Sequence, residues 1–164
     1  MNTPVGVVSK EEALKLSGMD FLQKLKNGDL PRPPFSETMD MIITELSDGF
    51  TVFTATPDLK FYNAIGCIHG GYISTLLDSA MACAIQTQLS PGTAFTTLEL
   101  KVNFIRPVLV KTGAIRAEGK LIHCGRTIAT AEGKLYDEQG KLYAFGTTTC
   151  ALMPIGVPTN GSGE

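Results

Sequence analysis

The most constraining feature of this chain is a strongly periodic apolar stretch between residues 69 and 89. Side chains spaced three and four apart lie on one face of an α-helix. The stretch therefore predicts a long helix with a buried apolar stripe, and Ser90-Pro91-Gly92 predicts its end. The apolar positions with this spacing are Ile73, Leu76, Leu77, Ala80, Met81, Ala84 and Ile85.

The chain after this helix alternates apolar and polar residues, as β-strands do. Strands are predicted at residues 98–104, 113–123, 127–136 and 142–153, with turns at 124–126 and 137–140. Before the helix, residues 38–56 predict two strands around the turn Ser47-Asp48-Gly49. One long apolar helix with five or six antiparallel strands indicates an α+β domain whose curved sheet wraps the helix.

The N-terminal region predicts an additional helix over residues 10–26, because Ser9 and Glu12 have the spacing of a capping box. Asn27-Gly28 predicts its end, and three prolines between residues 31 and 34 predict an extended connector. We therefore divide the chain into residues 1–34 (helix and connector), 35–153 (main domain) and 154–164, a tail whose composition predicts disorder.

Composition excludes several classes of function. Of 164 residues, 43% are hydrophobic, and 14 Lys and Arg face 16 Asp and Glu, giving a net charge of −2. This balance and the absence of Trp argue against nucleic-acid binding. No signal peptide or membrane span is expected, so we predict a cytoplasmic protein. The four cysteines form no C-x-x-C pair, so we expect reduced thiols and no metal site.

The start of the long helix could bind an oxygen that gains negative charge. His69 precedes Gly70 and Gly71, and glycines there let a ligand approach the backbone. The free N–H groups and the positive end of the helix dipole suit a carbonyl oxygen. Alternatively, the two glycines only relieve crowding where the helix meets the sheet.

Asp78, in the middle of the same helix, is a candidate base or nucleophile. Its neighbours Thr75, Ser79 and Ala82 are small enough to leave room for a substrate, and no Lys or Arg occurs between residues 60 and 101. The alternative is a solvated carboxylate on an exposed helix face.

His69 and Asp78 cannot meet in one subunit. Nine residues of helix separate them by about 13.5 Å along the axis and about 180° around it. If they share a site, two subunits must supply them across a two-fold axis, which creates two identical sites.

Residues 66–80 (GCIHGGYISTLLDSA) and 96–107 (TTLELKVNFIRP) together resemble the hotdog-fold acyl-CoA thioesterases of the phenylacetate-degradation (PaaI) type. The similarity continues through residues 123–126 to 147–149 and covers about residues 35–152. The resemblance implies a hotdog fold, hydrolysis of an aromatic or medium-chain acyl-CoA, and a dimer or dimer of dimers.

The resemblance also implies roles for individual residues. Asp78 would activate water or attack the thioester, the Gly70 N–H would bind its oxygen, and Asn63 and His69 would line the site. A hydroxyl on the next strand would hold the water. Alignment on Arg106-Pro107 favours Thr97 for this role, whereas alternation with an inward-facing Leu98 favours Thr96.

Five further residues are candidates for contact with the substrate. Gly71 would lie close to it, and Tyr72, Ile73 or Phe61 would border the acyl group. Arg126 would contact a coenzyme A phosphate, or is an ordinary exposed turn residue. Coenzyme A enters only as part of the substrate, and no cofactor or metal is expected because thioester hydrolysis needs only activated water and an oxyanion site.

Three alternatives remain. A dehydratase is disfavoured, because hotdog dehydratases use a catalytic His with an acidic partner in other motifs, whereas His69 lies in His69-Gly70-Gly71. An acyl-CoA binding or sensing module without turnover would not need the carboxylate of Asp78. In a purely structural oligomer, loss of Asp78 would cost stability rather than rate.

Overall fold

The computed structural model describes residues 3–156 of the chain. The helices are α1 Lys10–Lys15, α2 Gly18–Asn27, α3 Pro34–Thr38 and α4 Gly70–Gln86. The strands are β1 Met41–Ser47, β2 Phe50–Ala55, β3 Thr93–Phe104, β4 Ile115–Cys124, β5 Ile128–Asp137 and β6 Leu142–Pro154. No helix in this range is long and apolar enough to cross a membrane.

The six strands form one antiparallel sheet in the order β1-β2-β4-β5-β6-β3, so that β1 and β3 are its edges. The sheet curves around α4, whose apolar stripe is buried against β2, β4, β5 and β6. This arrangement confirms the predicted hotdog architecture, with the hairpin, the long helix and the four later strands at the expected places.

The backbone of α4 lies directly on the sheet. A Cβ atom at Gly119 of β4 would stand 2.1 Å from the Ala80 carbonyl oxygen, so only glycine fits there. The buried Thr51 hydroxyl of β2 donates to the same oxygen over 2.6 Å. These two contacts fix the position of α4 along the sheet, and with it the position of Asp78.

The single helix predicted for residues 10–26 is wrong, because the chain breaks at Leu16 and Ser17 into α1 and α2. The Ser17 hydroxyl accepts the Asp20 N–H over 3.1 Å and begins a new helix. The break lets α2 pack beside α4, where the Gly18 N–H donates to the Leu89 carbonyl over 2.8 Å. Gly28 ends α2 in the left-handed conformation (φ 82°), as predicted.

The connector is also more structured than predicted. Residues 34–38 form the short helix α3, in which Pro34 occupies the first turn, where a missing N–H costs no helical hydrogen bond. At the other end, β6 runs to Pro154, and residues 157–164 of the predicted tail lie outside the described residues.

Candidate active site

Asp78 and Thr97 form the central pair of the candidate site. Asp78 is half-buried on α4, and Thr97 lies on the edge strand β3. The Thr97 hydroxyl donates to Asp78 Oδ1 over 3.1 Å. The same hydroxyl lies 3.9 Å from Cys150 Sγ on β6. The structure therefore brings the predicted carboxylate and one predicted hydroxyl together within one chain.

A β-bulge decides which of the two threonines faces Asp78. In the pairing of β3 with β6, Thr97 faces Cys150 and Glu99 faces Thr149, so Leu98 is an extra residue. Leu98 is 60% exposed, and the expectation that it points inwards is wrong. The extra residue interrupts the alternation of the strand, so that Thr97 points to Asp78 and Thr96 is exposed.

The surroundings raise the pKa of Asp78 above its usual value. Burial is the main cause, since it disfavours the charged carboxylate, and the Thr97 hydrogen bond offsets part of the effect. Burial and the charge of Asp78 also raise the pKa of the nearby Cys83 thiol to about 12. At neutral pH Cys83 is therefore a protonated, weakly nucleophilic thiol.

The Asp78–Thr97 pair opens into a large apolar cavity of about 690 Å³. Its walls come from α2, the connector, β1, β2, α4 and β3. The apolar side chains on these walls are Phe21, Leu22, Leu25, Phe35, Met41, Ile42, Ile43, Phe53 and Phe95. A carboxylate at the wall of an apolar cavity of this size is typical of a small-molecule site.

The part of this wall formed by α2 could not be predicted from the sequence. The apolar spacing of Phe21, Leu22 and Leu25 predicts a buried helix face, but it carries no information about the surface that covers it. The wall formed by α2 and Phe35 depends on long-range packing, which no local pattern encodes.

The N-terminus of α4 borders a second, smaller depression. His69 caps the helix, since its Nδ1 accepts the Gly71 N–H over 2.8 Å. Within residues 3–156 the Gly70 N–H has no hydrogen-bond acceptor. Gly70 and Ile73 line a depression of about 380 Å³, together with Phe104. A Cβ at Gly70 would stand 3.1 Å from the Phe104 ring, so the glycine permits this close approach.

Asn63 also lines this second depression, where its side chain holds the loop that precedes α4. Its Oδ1 accepts the N–H groups of Ile65 and Cys67 over 3.1 and 3.2 Å, and its Nδ2 lies 3.2 Å from Cys67 Sγ. The side chain of Asn63 therefore holds the loop that leads to His69.

The remaining predicted residues lie apart from both depressions. Tyr72 is buried in the core, where it stacks on Phe61 with ring centroids 4.1 Å apart and donates to the Met39 carbonyl over 3.0 Å. Neither ring lines a wall around Asp78 or Gly70. Arg126 is exposed in the turn between β4 and β5.

Within one chain, Asp78 and the start of α4 therefore belong to different depressions. This separation agrees with the helix geometry, which places His69 and Asp78 on opposite sides of α4.

Comparison with known proteins identifies the family. Residues 65–144 match the model of the thioesterase superfamily. A protein of Saccharolobus solfataricus, provisionally named an esterase, is 30% identical over 106 residues, which are 65% of this chain and 74% of that protein. The chain belongs to the thioesterase superfamily, and its fold and sequence place it among the hotdog-fold thioester hydrolases.

Two further similarities concern proteins of phenylacetate metabolism. The acyl-coenzyme A thioesterase PaaI of Escherichia coli K12 is 29% identical over 90 residues, covering 52% of this chain and 62% of that protein. A phenylacetic acid degradation-related protein of Ralstonia eutropha JMP134 has a TM-score of 0.73 and 27% identity. That alignment covers 80% of this chain and 98% of the other.

Proposed function

We propose that this protein hydrolyses the thioester of an apolar acyl-CoA, aromatic or medium-chain, to the free acid and coenzyme A. The observation that carries the proposal is the Asp78–Thr97 pair in the wall of a large apolar cavity. The family supports thioester hydrolysis, and the relative from Escherichia coli is named an acyl-coenzyme A thioesterase.

Asp78 would accept a proton from the attacking water. Its raised pKa makes the carboxylate a stronger base than an ordinary exposed aspartate. Water then attacks the carbonyl carbon, the C–S bond breaks, and Asp78 returns the proton to the departing sulfur. Direct attack by Asp78 through an acyl-enzyme anhydride is the second mechanistic route, and either route needs the same carboxylate.

The start of α4 would stabilise the oxygen of the tetrahedral intermediate. The Gly70 N–H has no acceptor within the described residues and lies at the positive end of a 17-residue helix. Because His69 Nδ1 accepts the Gly71 N–H, the proton of the neutral ring is on Nε2, which can donate to the substrate. Asn63 and Gly71 would contribute by shaping this end of the site.

A complete site requires two copies of the chain, with His69 and Gly70 from one and Asp78 from the other. The edge strand β3, which carries Thr97, exposes Leu98 (60%) and Phe104 (54%). An apolar unpaired edge beside Asp78 suits association with a second copy. A dimer is the minimum, and a dimer of dimers accords with the family resemblance.

The proposed reaction needs no cofactor or metal. Exposed Arg126 remains a candidate contact for a coenzyme A phosphate, and a cytoplasmic location remains a prediction. The second candidate function is acyl-CoA binding without turnover, which the apolar cavity would also support.

Thiol release from a panel of acyl-CoAs tests the proposal. Wild type should turn over at least one substrate, and Asp78→Asn should lower kcat at least about 10²-fold, as expected for loss of a general base. Asp29→Asn is the matched control, because Asp29 is exposed and lies outside both depressions. Tight binding without hydrolysis would favour the binding module.

The melting temperature of Asp78→Asn separates catalysis from a structural role. A carboxyl whose pKa is raised in the folded protein costs stability once the pH exceeds its unfolded pKa. At neutral pH the amide should therefore leave the melting temperature unchanged or raise it. A large drop with retained activity would show that Asp78 is structural.

A further inference from the structure

The Asp78 cavity is a groove that runs along one face of α4. Asp78, Ser79, Ala82, Cys83 and Gln86 all line it. These residues are spaced as neighbours on one helix face, and the eight steps from Asp78 to Gln86 rise about 12 Å along the axis. The carboxylate therefore lies at one end of an extended apolar groove, and Gln86 lies at the other.

The start of α2 closes the far end of this groove. The Gly18 N–H donates to the Leu89 carbonyl over 2.8 Å, and a Cβ at Gly18 would stand 1.7 Å from the Gln86 carbonyl oxygen. The two backbones are thus in direct contact where α2 begins. Phe21, one turn further along α2, is half-buried and lines the groove at this end.

Phe21 also borders a third depression, which lies on the other side of the α2–α4 contact and is called the α1 depression below. This depression has a volume of about 220 Å³ and lies beneath α1, where Leu14 and Leu16 line it. Only Phe21, Gln86 and Phe95 among the lining residues belong to both spaces. These three side chains form the partition between the groove and the α1 depression.

We propose that this groove takes a medium-chain acyl group and that Phe21 determines the longest chain accepted. The inference rests on the proposed thioesterase function and names its substrate class. A length of about 12 Å, with C–C bonds of about 1.5 Å in a zigzag, holds about eight to ten carbons. A phenyl-sized group is shorter than the groove and would not reach from Asp78 to Phe21. The aromatic ring of Phe21 would meet the terminal methyl group.

The proposal is tested by hydrolysis of a straight-chain series from hexanoyl-CoA to myristoyl-CoA, each below its critical micelle concentration, with benzoyl-CoA and phenylacetyl-CoA as aromatic members. Each methylene buried in the groove should raise kcat/KM up to about fourfold. For wild type we expect this rise to end near decanoyl-CoA. Phe21→Ala would connect the groove with the α1 depression. In this variant the ratio of kcat/KM for myristoyl-CoA to that for decanoyl-CoA should increase at least about tenfold.

Two variants test whether a change in the chain-length profile is specific to the loss of the Phe21 ring. Phe21→Leu keeps a side chain at the partition and should give a smaller shift in the same direction. Phe50→Ala removes a phenylalanine of β2 that lines neither space, and should leave the chain-length profile unchanged. Hexanoyl-CoA, too short to reach Phe21, is the internal reference to which kcat/KM for each longer chain is normalised in every variant.

The outcomes separate this inference from the function on which it rests. If wild type prefers an aromatic acyl-CoA, or if Phe21→Ala hydrolyses hexanoyl-CoA normally with an unchanged length profile, the chain-length proposal fails and the thioesterase function stands. If no acyl-CoA is hydrolysed by wild type, the proposed function fails and this inference fails with it.

Discussion

Thr97→Val tests the chemistry of the site more sharply than loss of Asp78 does. Valine keeps the shape of threonine and removes the hydroxyl that donates to Asp78 Oδ1 over 3.1 Å. That hydrogen bond favours the ionised carboxylate and lowers its pKa against the larger opposing effect of burial. Without it, the pKa of Asp78 should rise further.

The size of the effect follows from the geometry. A hydrogen bond to a charged group contributes about 1.5–3 kcal/mol. Because Asp78 is only half-buried, solvent screening reduces this contribution to about 1 kcal/mol. Since 1.36 kcal/mol corresponds to one pH unit, the acidic limb of kcat/KM should move upward by roughly half to one unit.

The assay is kcat/KM against pH, followed through the ultraviolet absorbance of the thioester, so that no thiol reagent limits the range. The sign is fixed: the base must be ionised, so activity falls as the pH drops through its pKa, and a raised pKa moves that fall to higher pH. Thr96→Val is the matched control, since Thr96 is the exposed neighbour of Thr97 on β3. An unmoved limb, or the same shift in both variants, would refute the assignment of Asp78 as the base positioned by Thr97.

Two further predictions concern assembly and stability. When His69→Ala and Asp78→Asn are unfolded together and refolded, about a quarter of wild-type activity should return. Half of the dimers are then mixed, and each mixed dimer contains one intact site. Activity no higher than the sum of the two variants would place the whole site in one chain. Gly119→Ala should lower the free energy of unfolding in urea by about 3 kcal/mol or more, because its methyl group would stand 2.1 Å from the Ala80 carbonyl oxygen. Gly6→Ala, which would meet only the Pro31 side chain at 3.3 Å, should cost less than about 1 kcal/mol.

Features encoded by local patterns could be predicted from the sequence. The spacing of apolar residues in α4 and the alternation in the later strands were sufficient for the α+β class, and motif resemblance supplied the hotdog topology. Helix arithmetic alone separated His69 from Asp78, and the two depressions agree with it. These inferences depend on neighbours in the chain, so tertiary packing does not alter them.

Features set by long-range pairing could not be predicted. The bulge at Leu98 depends on how β3 pairs with β6, and it reverses the inward and outward positions that simple alternation assigns. Ser17 begins a second helix inside an apolar pattern that one helix would also satisfy. The wall of the Asp78 cavity depends on where α2 rests, which is decided by backbone contact at Gly18 rather than by any pattern along α2.

The contact of α2 with the end of α4 has an evolutionary consequence. The residues matched by the family model, 65–144, include Asp78, Thr97 and the N-terminus of α4, but exclude α2. Asp78, Thr97 and Gly70, which would break the thioester, and Phe21 of α2, which would limit the length of the acyl chain, are therefore encoded in separate parts of the gene. Substitutions in the first forty codons would then change the acyl chain accepted while Asp78, Thr97 and Gly70 stay the same, so related enzymes with unlike N-terminal segments should differ in the acids they release.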